Sequence, residues 1–181
     1  MPQKVVIFNF SPRIDGNCSN IATYISIYHN SAVVTQFHIT AENCQPCAGC
    51  NYECLTPGSA CPTKSDFLVQ AMDAACSSDA IYYIVPNFCG YPNANYFAFN
   101  ERFVGYFGMN RELRSKYINV PKKFIIVSNT ESEQFKAAMQ QQTNAEPDML
   151  YLKTSQYKKR STAGDLMESL DAKNDLKAFL F

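Results

Sequence analysis

A surplus of charge of either sign is missing from this chain. Lys and Arg together number 16 and Asp and Glu also 16, giving zero formal net charge at pH 7. That balance removes the electrostatic case for a nucleic-acid partner or an anionic membrane surface. Long apolar runs are missing too, and none approaches the ~20 residues that a bilayer span requires. Met1-Pro2-Gln3-Lys4 leads into a short apolar run with no small-residue cleavage site, which predicts a first strand and not a signal peptide. Internal repeats, low-complexity tracts, a Ser-His-Asp arrangement and metalloprotease motifs are all absent, so a hydrolase has no footing. What is present is a hydrophobic fraction of 46% against 18% charged residues in a chain of 181, enough for a packed core without staples. The expectation is a single domain spanning 1–181, cytoplasmic and independent of membranes.

Cysteine, by contrast, is abundant. Of eight cysteines, Cys44, Cys47, Cys50, Cys54 and Cys61 fall together, whereas Cys18, Cys76 and Cys89 stand alone. Structural disulfides are rare in reducing compartments, so such a cluster points to metal binding or redox chemistry.

Apolar patterning lays out an alternating chain. Val5 to Phe10 reads as a buried strand, followed by a polar loop and a helix from about Ser19 to Tyr28 with Ile21, Ile25 and Tyr28 facing inward. Ala32 to Ile39 is a second strand. After the cysteine loop, Asp66 to Cys76 has helical spacing with Ser65 as its N-cap. Ala80 to Val85 is a third strand ended by Pro86, and a long helical pattern runs from about Asn93 to Lys116. Lys123 to Val127 is strand four, Glu133 to Gln142 a helix, Met149 to Leu152 strand five, and a last helix opens at Gly164 or Asp165. Strands alternating with helices predict an α/β fold, a flavodoxin-like three-layer α/β/α sandwich with a five-stranded parallel sheet in the order 2-1-3-4-5. In such sheets ligands lie beyond the carboxyl ends of the strands, which directs attention to the loops after strands one, three and four.

The loop after strand one has anion-binding chemistry. Gly16 permits a tight turn, Asn17, Cys18 and Ser19 expose amides at a helix N-terminus, Ser11 and Ser19 offer hydroxyls, and Arg13 offers charge. It is neither a dinucleotide G-x-G-x-x-G fingerprint nor a Walker loop. Phe10-Ser11-Pro12-Arg13-Ile14-Asp15-Gly16-Asn17-Cys18-Ser19 resembles the Gly-Ser-Pro-Arg-x-x-Gly-Asn-Thr signature of flavodoxin-like NAD(P)H-dependent FMN reductases, which include the iron–sulfur flavoproteins. Pro46-Cys47-Ala48-Gly49-Cys50 with Cys54, Cys61 and Asp66 is similar to a second family segment, and Pro86-Asn87-Phe88 with Glu101-Arg102 to a third. Phe10 and Cys18 depart from the family's Gly and Thr, and the second change removes one hydroxyl contact to a phosphate.

The resemblance implies FMN as cofactor and NAD(P)H as electron donor. It places the FMN phosphate on Ser11, Arg13, Gly16, Asn17, Cys18 and Ser19, the ring beside Pro86, Asn87, Phe88 and Gly90, and Asn129 and Thr130 on its other side. It implies no catalytic side chain, since a flavin itself carries the redox step. By the same resemblance a 4Fe–4S cluster would take Cys47, Cys50, Cys54 and Cys61, or alternatively the tight run Cys44, Cys47 and Cys50 completed by Cys54 or Cys61. Four thiolates could equally hold zinc, and the off-pattern spacing favours a loop of reduced thiols without metal. Phe88 and Tyr91 read as ring neighbours, whereas Phe97, Phe99, Phe103 and Phe107 read as a packing stripe. His29 and His38 lack ligand spacing and read as structural or surface residues, and Lys158-Lys159-Arg160 as a solvated basic run. The implied activity is an FMN-dependent oxidoreductase reducing a quinone, a flavin or another small acceptor, assembled as a homodimer or homotetramer. The alternatives are an electron-transfer iron–sulfur flavoprotein and a scaffold that has lost FMN.

Overall fold

The computed structural model describes residues 2–47, 50–56, 59, 61 and 67–181. Five parallel strands stand side by side: β1 (Lys4–Asn9), β2 (Val33–His38), β3 (Ala80–Phe88), β5 (Lys122–Val127) and β6 (Asp148–Leu152). Their order is β2-β1-β3-β5-β6, with a two-residue strand β4 (Tyr91–Pro92) antiparallel to the end of β3. The parallel strands therefore follow the expected flavodoxin-like order.

The three central strands are near-continuous apolar runs because both of their faces are covered. Alternate side chains feed two cores. Val6, Phe8, Tyr83, Phe124 and Ile126 face helices α2 (Phe67–Cys76), α3 (Ala94–Glu101), α4 (Phe103–Phe107), α5 (Arg111–Asn119) and α6 (Glu133–Gln140). Val5, Ile7, Tyr82, Ile84 and Ile125 face α1 (Asn17–Tyr28) and α7 (Leu170–Leu180). The aromatic stripe divides as its spacing suggests, with Phe99 and Phe107 buried in the first core and Phe103 packed against it. A polar network is embedded in the same core: the Tyr83 and Tyr117 hydroxyls bond each other and reach Gln142 Oε1 at 3.2 and 2.5 Å. Burial drives both phenols well above their ordinary range, so they stay neutral donors.

Three elements differ from expectation. Pro86 does not end β3, which continues to Phe88. Ile84 bonds toward β1 and alternate residues share a side, yet β1 already ends opposite Ile84, so a missing Pro86 N–H leaves no ladder partner empty. The pattern over 93–116 is three helices instead of one. Gly108 breaks it at φ 50°, and a Cβ there would lie 2.9 Å from the carbonyl oxygen of Cys54, so the cysteine loop packs directly on its backbone. The last helix begins at Leu170, capped by the Ser169 side chain, with only a short 3-10 turn at Leu166–Glu168 before it. The Ser65 cap and the Asp66 start of α2 lie outside the described residues.

Lys122 closes the end of α5. It is only 7% exposed, and its ammonium donates to the carbonyls of Tyr117, Ile118 (3.4 Å) and Val120 (2.8 Å). Burial lowers its pKa to about 8. A folded-state pKa below the unfolded value gives a contribution to stability that grows as pH rises from about 8 toward about 10.4, and is lost as pH falls through 8. Urea denaturation at about pH 7.5 and about pH 9.5 checks this: relative to Lys122→Met, the wild type gains roughly 2 kcal/mol at the higher pH. An unchanged difference would show that Lys122 titrates as an exposed lysine does.

Candidate functional site

The loop between β1 and α1 is fixed from several sides. Asn9 accepts from the Ser11 amide at 3.0 Å and donates to the Ser19 hydroxyl at 3.0 Å, while that hydroxyl donates to the Arg13 carbonyl at 3.1 Å. The Ser11 hydroxyl accepts from the Arg13 amide at 3.1 Å. Asn93 and Asn95, at the start of α3, donate to the Phe10 carbonyl at 2.5 and 3.2 Å. His38, at the end of β2, donates through Nε2 to the Ser11 carbonyl at 2.6 Å. A histidine with no ligand spacing thus buttresses the loop, a role that no sequence motif marks.

A cavity of about 300 Å³ opens beside this loop at the carboxyl ends of the strands. Ser11, Arg13, Gly16, Asn17 and Cys18 form one wall, Pro86, Asn87 and Phe88 another. The sequence separates these groups by some seventy residues, and the sheet order brings them together. Within the first wall the donors are unequal. The amides of Asn17 and Cys18 begin α1 and so have no intrahelical acceptor. Ser11 is 5% exposed, and its hydroxyl proton is not committed within the loop. The other candidate side chains are engaged: Asn17 is buried and bonds the segment at 160–166, and Ser19 bonds Arg13. Burial pushes the Cys18 thiol up to about 12, against the opposing charge of Arg13, and the side chain joins the α1–α7 core. Gly16 has φ −89° and ψ 179°, extended backbone open to any residue, so the turn itself does not require glycine there.

The second wall is a hairpin. Cys89 (φ 54°) and Gly90 (φ 88°) both occupy the left-handed region, as a two-residue type I′ connection demands, and they set Phe88 opposite Tyr91. Phe88 stays 54% exposed at the cavity's edge. Asn87 does not aim a free amide outward. It donates to the hydroxyls of Ser128 and Thr130 (3.1 Å) and accepts from the Gly90 amide at 2.7 Å, latching the hairpin to the loop after β5. Asn129 is bonded instead to Thr154 (2.8 Å) and the Ser155 amide (3.0 Å). Ser19, Gly90, Asn129 and Thr130 therefore stand around the cavity without lining it.

The clustered cysteines lie elsewhere. Cys54 and Cys61 border a separate cavity of about 450 Å³ shared with Gly105, Tyr106 and the buried Arg102, which donates to the Gln45 carbonyl at 3.2 Å. Burial raises the Cys54 thiol, and the neighbouring Cys61, Cys50 and Cys47 add to the shift. Among the described residues no group of three or more His, Cys, Asp or Glu side chains is disposed to hold a metal ion. Of the basic run, Lys159 is paired with Asp165 (3.3 Å) and Glu168 (3.0 Å).

No protein-family model matches the chain, and no curated protein does. Solved structures do match over nearly its whole length. The Trp repressor binding protein from Bacillus subtilis aligns with a TM-score of 0.62 at 10% identity, covering 99% of this chain and 98% of that one. The fold is flavodoxin-like. FerB, a flavoenzyme NAD(P)H:(acceptor) oxidoreductase from Paracoccus denitrificans, aligns with a TM-score of 0.57 at 13% identity over 99% and 96% of the two chains. The apo NADH:FMN oxidoreductase EmoB gives 0.54 at 9% identity over 98% and 88%. At these identities the flavodoxin-like architecture is what is shared. No helix among the described residues is long and apolar enough to cross a membrane.

Two outcomes follow from the geometry. Asn17→Ala leaves the buried Leu166 amide without its acceptor and lowers stability by about 1–3 kcal/mol in urea denaturation. A change near zero would mean that water replaces the tie. In native protein a thiol reagent reaches Cys47 and Cys89, both exposed, before Cys18 and Cys44, both buried. Labelling of Cys18 at a rate equal to Cys89 would contradict the packing of α1.

Proposed function

We propose that the chain is an FMN-dependent oxidoreductase that takes electrons from NAD(P)H and reduces a quinone, a flavin or another small acceptor. The observation that carries this is the cavity at the carboxyl ends of β1 and β3, with anion donors on one wall and an exposed aromatic on the other. Its donor chemistry fits a phosphate ester: residues offering two first-turn amides, a buried hydroxyl and the exposed guanidinium of Arg13 share one wall, with no carboxylate on the lining. Its volume of about 300 Å³ is at the small end for ligand pockets, which suits a site that encloses one end of a ligand and leaves the ring accessible to partners. FerB and EmoB, named for flavin and NAD(P)H chemistry, share the architecture and lend support.

In this reading FMN supplies the transfer of electrons, and the protein supplies binding and orientation. Ser11, Arg13 and the amides at Asn17 and Cys18 hold the phosphate, with Gly16 beside them. Pro86 and Phe88 border the ring, and Asn87, Gly90, Asn129 and Thr130 act by fixing the loops that carry them. Ser19 acts in the same way on the first loop. The aromatic edge formed by Phe88 and Tyr91 is exposed and suits a flat acceptor or a second copy of the chain, so assembly as a homodimer or homotetramer belongs to the same proposal. The single-domain span of 1–181 and a cytoplasmic setting do too. A cysteine-bound cluster is left out, because among the described residues no group of three or more His, Cys, Asp or Glu side chains is disposed to hold a metal ion.

Titration with FMN tests this. Binding with quenched flavin fluorescence, followed by oxidation of NADH or NADPH in the presence of a quinone, is the expected result. Ser11→Ala weakens FMN by about 10-fold or more, the loss of one hydrogen bond to a charged group. A protein that binds no FMN would remove the proposal.

A further inference from the structure

Loop side chains that a phosphate would call on are largely committed: Asn17 to the segment at 160–166, Ser19 to Arg13, and the Cys18 thiol to the core. Two further residues that line the cavity, Ser161 and Thr162, are ones that no motif indicates. Helix α7 shares its core with α1, so the connection over residues 153–169 has to cross from edge strand β6 to the flank of α1. It passes over the N-terminus of α1 and is clamped there. Asn17 donates to the Ser161 carbonyl at 3.1 Å and accepts from the Leu166 amide at 2.9 Å, and Asn20 donates to the Gly164 carbonyl at 2.6 Å. At Gly164 (φ 78°) a Cβ would lie 2.9 Å from the Asp15 carbonyl oxygen, so the two backbones touch. The turn so held brings Ser161 and Thr162 onto the cavity. Among the described residues neither side chain has a hydrogen-bond partner, and neither backbone N–H has a backbone acceptor.

We propose that the turn at Ser161 and Thr162 is the second half of the phosphate cradle, supplying N–H and O–H donors that face the first-turn amides of α1 across the cavity. This rests on the flavin-phosphate reading above and extends it to a segment on the far side of the sheet sequence. A phosphate ester at neutral pH carries close to two negative charges on three strong acceptor oxygens, and the first loop offers few free side-chain donors after its internal bonds are made. A clamped turn with uncommitted donors adds them at little entropic cost, since its backbone is already ordered. Asn17 then acts as a positioning residue: its amide holds the two halves of the cradle in register.

The test compares FMN with riboflavin, which lacks the phosphate, in fluorescence titrations of the wild type and the Ser161→Ala/Thr162→Ala double variant. Both side chains are exposed and unbonded, so the variant keeps the wild-type melting temperature. FMN affinity is expected to fall about 10-fold or more while riboflavin affinity stays the same. Unchanged FMN affinity, or an equal loss for both flavins, would overturn the proposal. A wild type that binds neither flavin would instead defeat the flavin reading, and inorganic phosphate then serves as the probe. A melting temperature raised by phosphate in the wild type and not in the variant would still support the cradle. No rise, or equal rises, would end it.

Discussion

A single buried amide, that of Asn17, joins the beginning of the chain to its end. It sits in the first turn of α1, is 4% exposed, and bonds backbone groups nearly 150 residues away through both its oxygen and its nitrogen. A buried amide must satisfy its donors and acceptor or incur their desolvation cost. Among the described residues the groups that do so belong to the segment crossing between β6 and α7. That requirement helps to fix where the segment lies, and its position adds a third side to the cavity between the β1 loop and the hairpin.

The cleft also depends on the sheet order. The chain runs outward from β1 to β2, returns to β3 on the other side of β1, and so leaves the loops after β1 and β3 diverging from adjacent strands. The gap between them is the natural place for a ligand. The loop after β1 is stiffened by Asn9, His38, Asn93 and Asn95, and the hairpin after β3 by Asn87 with Ser128 and Thr130. Side chains that look like binding groups are here devoted to geometry, and backbone amides and a few hydroxyls remain for recognition.

This division explains what the sequence reveals and what it conceals. The central strands are legible because burial on both faces leaves unbroken apolar runs such as Val5 to Phe8, and their rhythm with the helices yields the topology. The loop after β1 is legible from its composition as a candidate anion site. Which of its polar side chains stay free is not, because the partners of Asn17 and Ser19 are set by tertiary contacts. The break at Gly108 is hidden for the same reason: the carbonyl of Cys54 that packs there comes from a distant loop. His38, Ser161 and Thr162 carry no pattern at all, since a lone histidine and a Ser-Thr pair are ordinary in any loop. Only the folded chain sets them around the same cleft.

In the proposed reading a phosphate-bearing ligand binds in the cleft between the β1 loop, the hairpin and the 160–164 turn. Hydrogen exchange of the backbone amides with and without FMN tests that most directly. Protection should rise together at residues 11–19, 86–90 and 160–164 and stay unchanged at residues 44–47 and 50–54 of the cysteine segment. Protection confined to the cysteine segment, or absent from all three arms of the cleft, would contradict it.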